Sequence, residues 1–482
     1  MINFRLILFV LGILITVLGL FMLVPLLVEI IYYSSNKGNF FISFCLSSLV
    51  GISLVLAFKS KEKLLNIKDT LIITSISWPL LCIFASVPFY LDNNLNNFYN
   101  AFFEATSGLT TTGASVYINV ENLSRGILMW RSLLQWLGGL GIIIFAIGIL
   151  PILNIGGMQL FTQDWNEKPQ DLHYRSKELS KLLGLIYFIF TLILVVLLWL
   201  GGLPFFDAIC HAMTTIATGG FSTNNNSIGH YNNLFAELVI IGGMLLASLP
   251  FTLYISTAKG NMSIFKDNQV IAFFLIALVS TIIISMWINY ENNINIFTAF
   301  RLALFNCISL MTGTGYSTAN FSDWGSFSSS ILLILMLIGG CTGSTTGGLK
   351  IFRIQFLILI VLKELKKIRS PRTVFTLSYK RNIVDSELIN PVMIIVILFF
   401  TGIFVVSGVF SLHGYDFLTS VSAAITSICV VGPGMGNIIG PENTFDSLPP
   451  TLKVTLSFAM IIGRLEFLSF MLLLIPNFWS SK

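Results

Sequence analysis

The amino-acid sequence predicts an all-α integral membrane protein with ten membrane-spanning helices: an N-terminal pair, followed by four pseudo-repeats of two spans each. Three observations predict this fold class. The 482-residue chain is 55% hydrophobic and only 10% charged, whereas soluble domains carry about 25% charged residues. It contains ten long apolar runs. One pattern, consisting of a long run, a polar loop, a short apolar segment and a second long run, recurs four times.

Each apolar run is long enough to cross about 30 Å of hydrocarbon at a rise of about 1.5 Å per residue. The first run is longer than the apolar core of a signal peptide, and we interpret it as a helix. The last run contains two charged residues, Arg464 and Glu466. The ten runs are Leu6–Val28, Phe40–Phe58, Thr70–Leu91, Ser132–Leu153, Leu182–Leu200, Leu238–Ala258, Val270–Tyr290, Ser326–Leu349, Leu388–Leu412 and Val454–Phe478.

The distribution of basic residues predicts the orientation in the membrane. Most of the 27 Lys and Arg residues fall in loops on one side of the ten runs, and cytoplasmic loops carry an excess of these residues. Both termini are therefore predicted to be cytoplasmic. The net charge of +5 is explained by these scattered loop residues and does not indicate a nucleic-acid site.

The four short segments lie at 102–117, 205–223, 300–318 and 417–436, and each contains a central glycine. Each segment has about ten to fourteen residues before its glycine, which is too short to span a membrane but suits a half-helix that enters and turns back. The predicted central glycines are Gly113, Gly219, Gly315 and Gly432. The predicted units are the N-terminal pair 1–68 and the repeats 69–165, 166–262, 263–382 and 383–482.

Four converging re-entrant loops predict a pore for a dehydrated cation. Non-helical backbone at membrane depth leaves unpaired polar groups unless it packs in protein or lines water, and a cation satisfies carbonyl groups that point at a shared axis. Glycine suits such a site because it adopts positive φ angles. The half-helices would aim their C-terminal partial negative charge at the ion. The predicted filter residues are Thr111, Thr112, Gly113, Ala217, Thr218, Gly219, Gly313, Thr314, Gly315, Val430, Val431 and Gly432, with bound cations at the carbonyls of Thr111, Thr112, Thr218, Thr314 and Val431.

The eighth run is interrupted by the Gly-rich segment, Gly339–Gly348. Five glycines in ten residues disfavour a helix at about 1 kcal/mol each, so we predict a loop within the membrane, below the filter. Small-residue helix packing is the structural alternative. A phosphate-binding loop is disfavoured because the G-x-x-x-x-G-K-[ST] pattern is absent.

Several charged residues are candidate functional residues. Arg464 lies deep in the last run, and an ionisable group inside a span indicates function unless it reaches the membrane surface. Glu466, two residues later, points to a different helix face and is not expected to pair with it. Glu104, Asp207 and Asp416 lie near the predicted outer mouth, where they would either concentrate cations or serve as solvated loop ends.

The sequence resembles the Trk/Ktr/HKT superfamily of K⁺ transporters, specifically the Trk-type membrane subunit. The motifs that carry the resemblance are FEATSGLTTTGAS, LPILNIGGMQLF (150–161), FDAICHAMTTIATGGFST, GGCTGSTTGGLKIFR (339–353) and GRLEFL (463–468). The first two spans favour the Trk type over the Ktr type. The resemblance implies a four-repeat pore, each repeat comprising an outer helix, a pore helix, a filter strand and an inner helix.

The resemblance also implies function. It implies K⁺ uptake across the cytoplasmic membrane of a bacterium, K⁺ as the bound ion with Rb⁺ also permeant, and no organic cofactor. Because the superfamily's Na⁺-permeable members have serine in the first repeat, Gly113 indicates K⁺. It further implies a gate formed by Gly343, Ser344, Thr345, Thr346 and Gly347 together with Arg464.

The partners that the resemblance implies are a second copy of the chain, giving a homodimer, and a cytosolic RCK-type (TrkA-like) subunit that binds NAD(H) or adenine nucleotides. The basic stretch 363–375 is a candidate docking site for that subunit. A symporter coupling K⁺ to H⁺ or Na⁺ remains the alternative function. An enzyme is disfavoured because the four histidines are scattered and the six cysteines show no ligand spacing.

Overall fold

A computed structural model describes residues 2–34, 36–59, 66–95, 97–148, 169–260, 263–372, 378–379, 382–383 and 389–479. The linker motif at 150–161, residues 373–375 of the basic stretch and the boundary between the first two predicted repeats lie outside the described residues.

The N-terminal unit consists of helices that pack closely through small residues. A β-carbon on Gly51 would overlap Thr16, and one on Gly12 would stand 2.8 Å from the β-carbon of Leu54. Glycine therefore allows the backbones of the first and third helices to approach. The helices are α1 (Phe4–Phe21), α2 (Leu23–Ile31) and α3 (Lys37–Ala57).

Four repeats follow, and each comprises an outer helix, a short pore helix and an inner helix. The outer helices are α4 (Ile67–Tyr90), α7 (Pro169–Leu200), α11 (Asn268–Asn292) and α15 (Ile389–Leu412). The pore helices are α5 (Phe98–Leu109), α8 (Phe205–Ile216), α12 (Ile296–Met311) and α16 (Phe417–Cys429). The inner helices are α6 (Arg125–Gly148), α9 (Leu234–Ser248) continued by α10 (Phe251–Ala258), α13 (Gly325–Ile338) continued by α14 (Ile351–Arg369), and α17 (Pro450–Arg464) continued by α18 (Leu468–Leu473) and α19 (Pro476–Trp479).

Polar residues fix where three of the pore helices begin. The side chains of Asn97, Asn295 and Asp416 accept hydrogen bonds from the first-turn amides of Tyr99, Phe297 and Thr419, at 3.0, 3.0 and 3.1 Å. Such caps satisfy N–H groups that have no partner within the helix. Pro204 is the N-cap residue of the pore helix of the second repeat, α8, with the non-helical backbone angles (φ −52°, ψ 139°) that are typical of this position.

The predicted all-helical membrane architecture is confirmed. In the described part of the chain, eight helical stretches are long and apolar enough to cross a membrane, and α9 with α10 forms a ninth that bends by 92°. Only one small hairpin interrupts the helical pattern there, with β1 (Ser378–Tyr379) pairing antiparallel with β2 (Asn382–Ile383).

Two predicted spans need correction. The run Val454–Phe478 is not one helix, because α17 ends at Arg464, and Glu466 and Phe467 adopt positive φ angles of 59° and 52°. Arg464 is therefore the last residue of a helix and does not lie in the middle of one. The run Leu238–Ala258 is bent between Ser248 and Phe251, where Pro250 lacks the N–H that a continuous helix needs.

Candidate ion pathway

Each pore helix ends in the same backbone turn. A residue with positive φ follows or closes the helix, and the amide of the next residue then donates back to a carbonyl five positions earlier. The positive-φ residues are Thr111 (59°), Thr218 (50°), Gly313 (73°) and Val430 (60°). The returning hydrogen bonds run from Thr112 N to Ser107 O, Gly219 N to Thr214 O, Thr314 N to Ser309 O and Val431 N to Thr426 O, at 2.8 to 2.9 Å.

A second positive-φ residue, always glycine, stands two positions further along. These ring glycines are Gly113 (89°), Gly220 (76°), Gly315 (79°) and Gly432 (103°). Their spacing from the first positive-φ residue is the same in all four repeats. The four loops are therefore structurally equivalent.

The ring glycines close a circle around the four repeats. A β-carbon on Gly113 would overlap the carbonyl oxygen of Gly219, one on Gly220 would overlap that of Thr314, and one on Gly315 would overlap that of Val431. The circle closes at Gly432, where a β-carbon would stand 2.7 Å from Thr112 O. Each loop thus packs against a carbonyl of the next, in the order one, two, three, four, one.

This geometry corrects the predicted register of the second loop by one residue. The prediction that Gly219 is the central glycine is wrong, because Gly220 has the positive φ and the ring contact. Gly219 is equivalent to Thr112, and Thr218 is equivalent to Thr111. Ala217, predicted as a filter residue, is instead the residue that directly follows the pore helix.

The residues that directly precede the four ring glycines differ chemically between the repeats. In repeats one and three they are threonines whose hydroxyls pair with a neighbour, Thr112 with Thr110 and Thr314 with Thr312, both at 2.8 Å. The other two repeats have Gly219 and Val431 at this level. Two of the four repeats, the second and the fourth, therefore lack a threonine at this level.

The Gly-rich segment lies next to the second loop and is enclosed by protein. Thr218 Oγ1 lies 3.2 Å from Thr345 Oγ1, and Phe251 N donates to Gly343 O at 3.0 Å. A β-carbon on Gly347 would overlap the Cys429 carbonyl at the end of α16. The segment therefore contacts repeats two and four as well as its own, and the bend between α9 and α10 accommodates it.

Arg464 contacts this segment directly. Its Nη1 donates to Thr345 O at 2.9 Å, and the side chain is almost completely buried. Among the described residues, its Nε and Nη2 atoms have no hydrogen-bond partner, and no carboxylate forms an ion pair with it. A buried cation without a counter-charge in this part of the chain thus adjoins the Gly-rich segment.

Sequence comparison decides the family. The family described as "TrkH: Cation transport protein" matches residues 36–481. The chain belongs to this TrkH family. The resemblance inferred from the motifs is thereby confirmed.

Individual relatives match over nearly their whole length. The Trk system potassium uptake protein TrkI of Halomonas elongata is 36% identical, over 98% of this chain and 96% of the relative. The Trk system potassium uptake protein TrkH of Vibrio parahaemolyticus is 34% identical, over 99% and 100%. The crystal structure of the potassium transporter TrkH from Vibrio parahaemolyticus superposes with a TM-score of 0.92 at 32% identity, covering 99% of this chain and 100% of that one.

In this TrkH-family chain, two of the three acidic residues predicted to lie at the outer mouth are buried or half-buried. Glu104 is fully buried and pairs with Arg131 Nε at 2.8 Å, so it neither concentrates cations from solution nor lies at a solvated loop end, and both alternatives are wrong for this residue. Asp207 accepts a hydrogen bond from Tyr231 at 2.8 Å and is half-buried. Asp416 is exposed, and hydrogen bonding from Thr419 lowers the pKa of its carboxyl.

The Glu104–Arg131 pair joins the loops that follow the first two pore helices. Glu104 accepts from Val116 N at 2.9 Å, and Arg131 Nη1 donates to Ser222 O at 3.0 Å. Sequence reasoning missed Arg131, because nothing in the local pattern of α6 indicates a partner 27 residues earlier on a different helix.

Replacing Glu104 with glutamine is expected to lower the free energy of unfolding by about 3 kcal/mol, since removing one partner of a buried ion pair leaves a buried charge uncompensated. Thermal unfolding of the purified protein in detergent measures the effect. Asp416→Asn is the matched control, because asparagine caps a helix as well as aspartate does. Equal stability of the two variants would contradict the role assigned to the pair.

A second buried charge cluster flanks the Gly-rich segment. Glu466 forms ion pairs with Arg353 Nη2 and with Lys350 Nζ, the latter at 3.7 Å. Lys350 and Arg353 lie where α14 begins, directly after the segment, whereas Glu466 lies in the break after α17. Glu466 lies beyond the end of α17, so the helix-face argument about Arg464 does not apply to it, and the sequence did not indicate its two partners.

Proposed function

We propose that this protein carries K⁺ into the cell through the ring formed by its four filter loops. The observation that carries the proposal is the closed circle of Gly113, Gly220, Gly315 and Gly432, each packed against the carbonyl of the next repeat. The names of its relatives, which are Trk system potassium uptake proteins, support K⁺ as the ion.

The backbone of the loops would supply the ion sites. We propose K⁺ at the five predicted carbonyls, those of Thr111, Thr112, Thr218, Thr314 and Val431. The corrected second loop adds the carbonyl of Gly219. Thr112, Thr314 and Val431 are buried, and their carbonyl groups need either a protein donor or a cation as a partner. Four pore helices whose C-termini precede the ring favour a cation further.

The membrane potential is sufficient to drive uptake. A charge gains about 2.3 kcal/mol per 100 mV, so an inside-negative potential of about 150 mV supports roughly 300-fold accumulation at about 1.4 kcal/mol per tenfold step. This scheme needs no catalysed reaction and no organic cofactor in the chain.

The Gly-rich segment is the proposed gate, with Arg464 as its electrostatic element. Gly343, Ser344, Thr345, Thr346 and Gly347 pack beneath the loops, and the hydrogen bond from Arg464 Nη1 to Thr345 O holds them there. A buried cation next to the path would raise the energy of a passing K⁺. Movement of the segment would remove the steric obstacle, which is the segment itself, and the electrostatic obstacle of Arg464 together.

We further propose the assembly that the family resemblance implies, a homodimer in the bacterial cytoplasmic membrane with both termini inside. A cytosolic RCK-type, TrkA-like subunit that binds NAD(H) or adenine nucleotides would regulate it. The exposed basic end of α14, with Lys366, Lys367 and Arg369, is the proposed docking site. This position suits a regulator, because α14 starts directly after the gate.

Flux into vesicles that contain the purified protein tests the proposal. We expect a K⁺ gradient to set the reversal potential, and a pH gradient at fixed K⁺ to leave it unchanged. A shift with pH would favour the symporter instead. Symport needs a titratable group on the path, and the candidate, Glu466, is already held by Arg353 and Lys350. Vesicles without K⁺ flux would overturn the proposed function.

A further inference from the structure

The side-chain amide of Gln135, on the inner helix of repeat one, holds the filter loop of repeat two. Its Nε2 donates to Gly219 O at 2.7 Å, and its Oε1 accepts from Phe221 N at 3.1 Å. These two backbone groups flank the ring glycine, Gly220. Gln135 is fully buried, and its amide thus pairs with the filter backbone in the way that a neighbouring strand would.

The side chain of Gln135 and the absence of one at position 219 are complementary. A β-carbon on Gly219 would overlap Cδ and Oε1 of Gln135. In repeats one and three the equivalent residues are Thr112 and Thr314, and each hydroxyl bonds to a threonine of its own loop. In repeat two, Gln135 takes the space and the hydrogen-bonding role that a threonine has elsewhere.

The same face of α6 extends this attachment by one helical turn. Arg131, four residues before Gln135, donates to Ser222 O, and its guanidinium lies 4.1 Å from the centroid of the Phe221 ring. Residues four apart share a helix face. The loop from Gly219 to Ser222 is therefore fixed to a neighbouring repeat along its length.

The hydrogen bond to Gly219 O also distinguishes this carbonyl from its equivalents. Within the described residues, the carbonyls of Thr112, Thr314 and Val431 accept no hydrogen bond. A carbonyl that already accepts a hydrogen bond from an amide offers less of its lone-pair density to an ion and is less free to move. Of the four carbonyls that directly precede the ring glycines, that of Gly219 thus accepts a hydrogen bond and the other three do not.

We propose that Gln135 is a positioning residue that sets the cation selectivity of the pore by pinning the Gly219 carbonyl and the backbone around Gly220. The proposal rests on the proposed function, since it assumes that K⁺ passes this ring. Without the amide, the Gly219 carbonyl and the Phe221 amide would lose their hydrogen bonds to the inner helix of repeat one, and the backbone around Gly220 would adapt to ions of other sizes.

The first test replaces Gln135 with methionine, which keeps the length of the side chain but removes both hydrogen bonds. We expect the ratio of K⁺ to Na⁺ permeability, measured from reversal potentials in vesicles, to fall about tenfold while K⁺ flux continues. The matched control is Trp136→Phe, which removes a hydrogen bond to Thr191 from the next residue of the same helix and should leave the ratio unchanged. An unchanged ratio in Gln135→Met, with a selective wild type, would overturn the inference. If the wild type itself conducts no K⁺, the proposed function fails instead.

The second test uses the steric complementarity and applies even if Gln135→Met folds poorly. Gly219→Thr alone should lose K⁺ selectivity, because its side chain would overlap Gln135. Adding Gln135→Ala frees the space, so we expect the double variant to be several-fold more selective than Gly219→Thr. A double variant that is no more selective than Gly219→Thr would overturn the inference.

Discussion

Replacing Gly113 with serine is expected to lower the K⁺ to Na⁺ permeability ratio by at least about tenfold. Gly113 has a φ of 89°, and the left-handed region costs a residue with a side chain about 1–2 kcal/mol. The new β-carbon would also overlap Gly219 O in the next loop. The ring must therefore open at this contact, and a wider ring holds a dehydrated K⁺ less well.

Reversal potentials in vesicles with K⁺ on one side and Na⁺ on the other measure this ratio. Gly141→Ser is the matched control, because a β-carbon on Gly141 would have no atom of a neighbouring element within 4 Å and the residue lies on the inner helix of the same repeat. We expect the control to keep the wild-type ratio. Equal ratios in the two variants would show that the ring does not select the ion.

Gly220 provides a test of the corrected register. Gly220→Ala should damage selectivity in any background, since its β-carbon would overlap Thr314 O in the ring. Gly219→Ala added to Gln135→Ala should be no less selective than Gln135→Ala alone, because the conflict of its β-carbon is with the Gln135 side chain. The register inferred from the sequence alone would predict the reverse order of severity.

The reason for the one-residue error is local. Thr218-Gly219 looks like Thr112-Gly113 in the sequence, and the additional glycine at position 220 gives no indication of which of the two has the ring position. The equivalence depends on the amide of Gly219 donating to Thr214 O, and on the positive φ of Thr218. The hydropathy pattern of the sequence does not indicate backbone angles of this kind.

The fold was predictable because the bilayer requires long apolar helices and because glycine-centred turns recur after the short apolar segments. Runs such as Asn268–Asn292 show the first requirement directly in their composition. The breaks were predictable only where glycines cluster, as at Gly339–Gly348. The end of α17 at Arg464 was not, since the apolar pattern continues to Phe478 without a glycine or proline after Arg464 until Pro476.

Pairs that join distant parts of the chain were also beyond sequence reasoning. Glu104 and Arg131 lie on different helices of repeat one, and Glu466 meets Arg353 across 113 residues. Their surroundings in the sequence are apolar, which suggests that each charged residue has a partner. The sequence does not indicate which one, because that choice depends on how the repeats pack around the ring.

Replacing Arg464 with alanine is expected to raise K⁺ leak through the unstimulated protein by up to about a hundredfold. At about 5 Å, and with an effective dielectric constant of about 20, a guanidinium repels a passing K⁺ by about 3 kcal/mol, which corresponds to about a hundredfold in rate at about 1.4 kcal/mol per tenfold step. The substitution also removes the hydrogen bond to Thr345 O and so releases the Gly-rich segment. Both effects act in the same direction.

Leak is measured as Rb⁺ uptake into vesicles without any cytosolic partner. Arg301→Ala is the matched control, since it removes a partly exposed guanidinium that pairs with Glu237 and does not contact the Gly-rich segment. Arg464→Lys separates the two effects, because lysine keeps the charge but not the geometry of the guanidinium. A leak that is low in Arg464→Lys and high in Arg464→Ala would assign the barrier to charge, whereas a high leak in both would assign it to anchoring. A loss of flux in Arg464→Ala, without any rise in leak, would contradict a gate at this position.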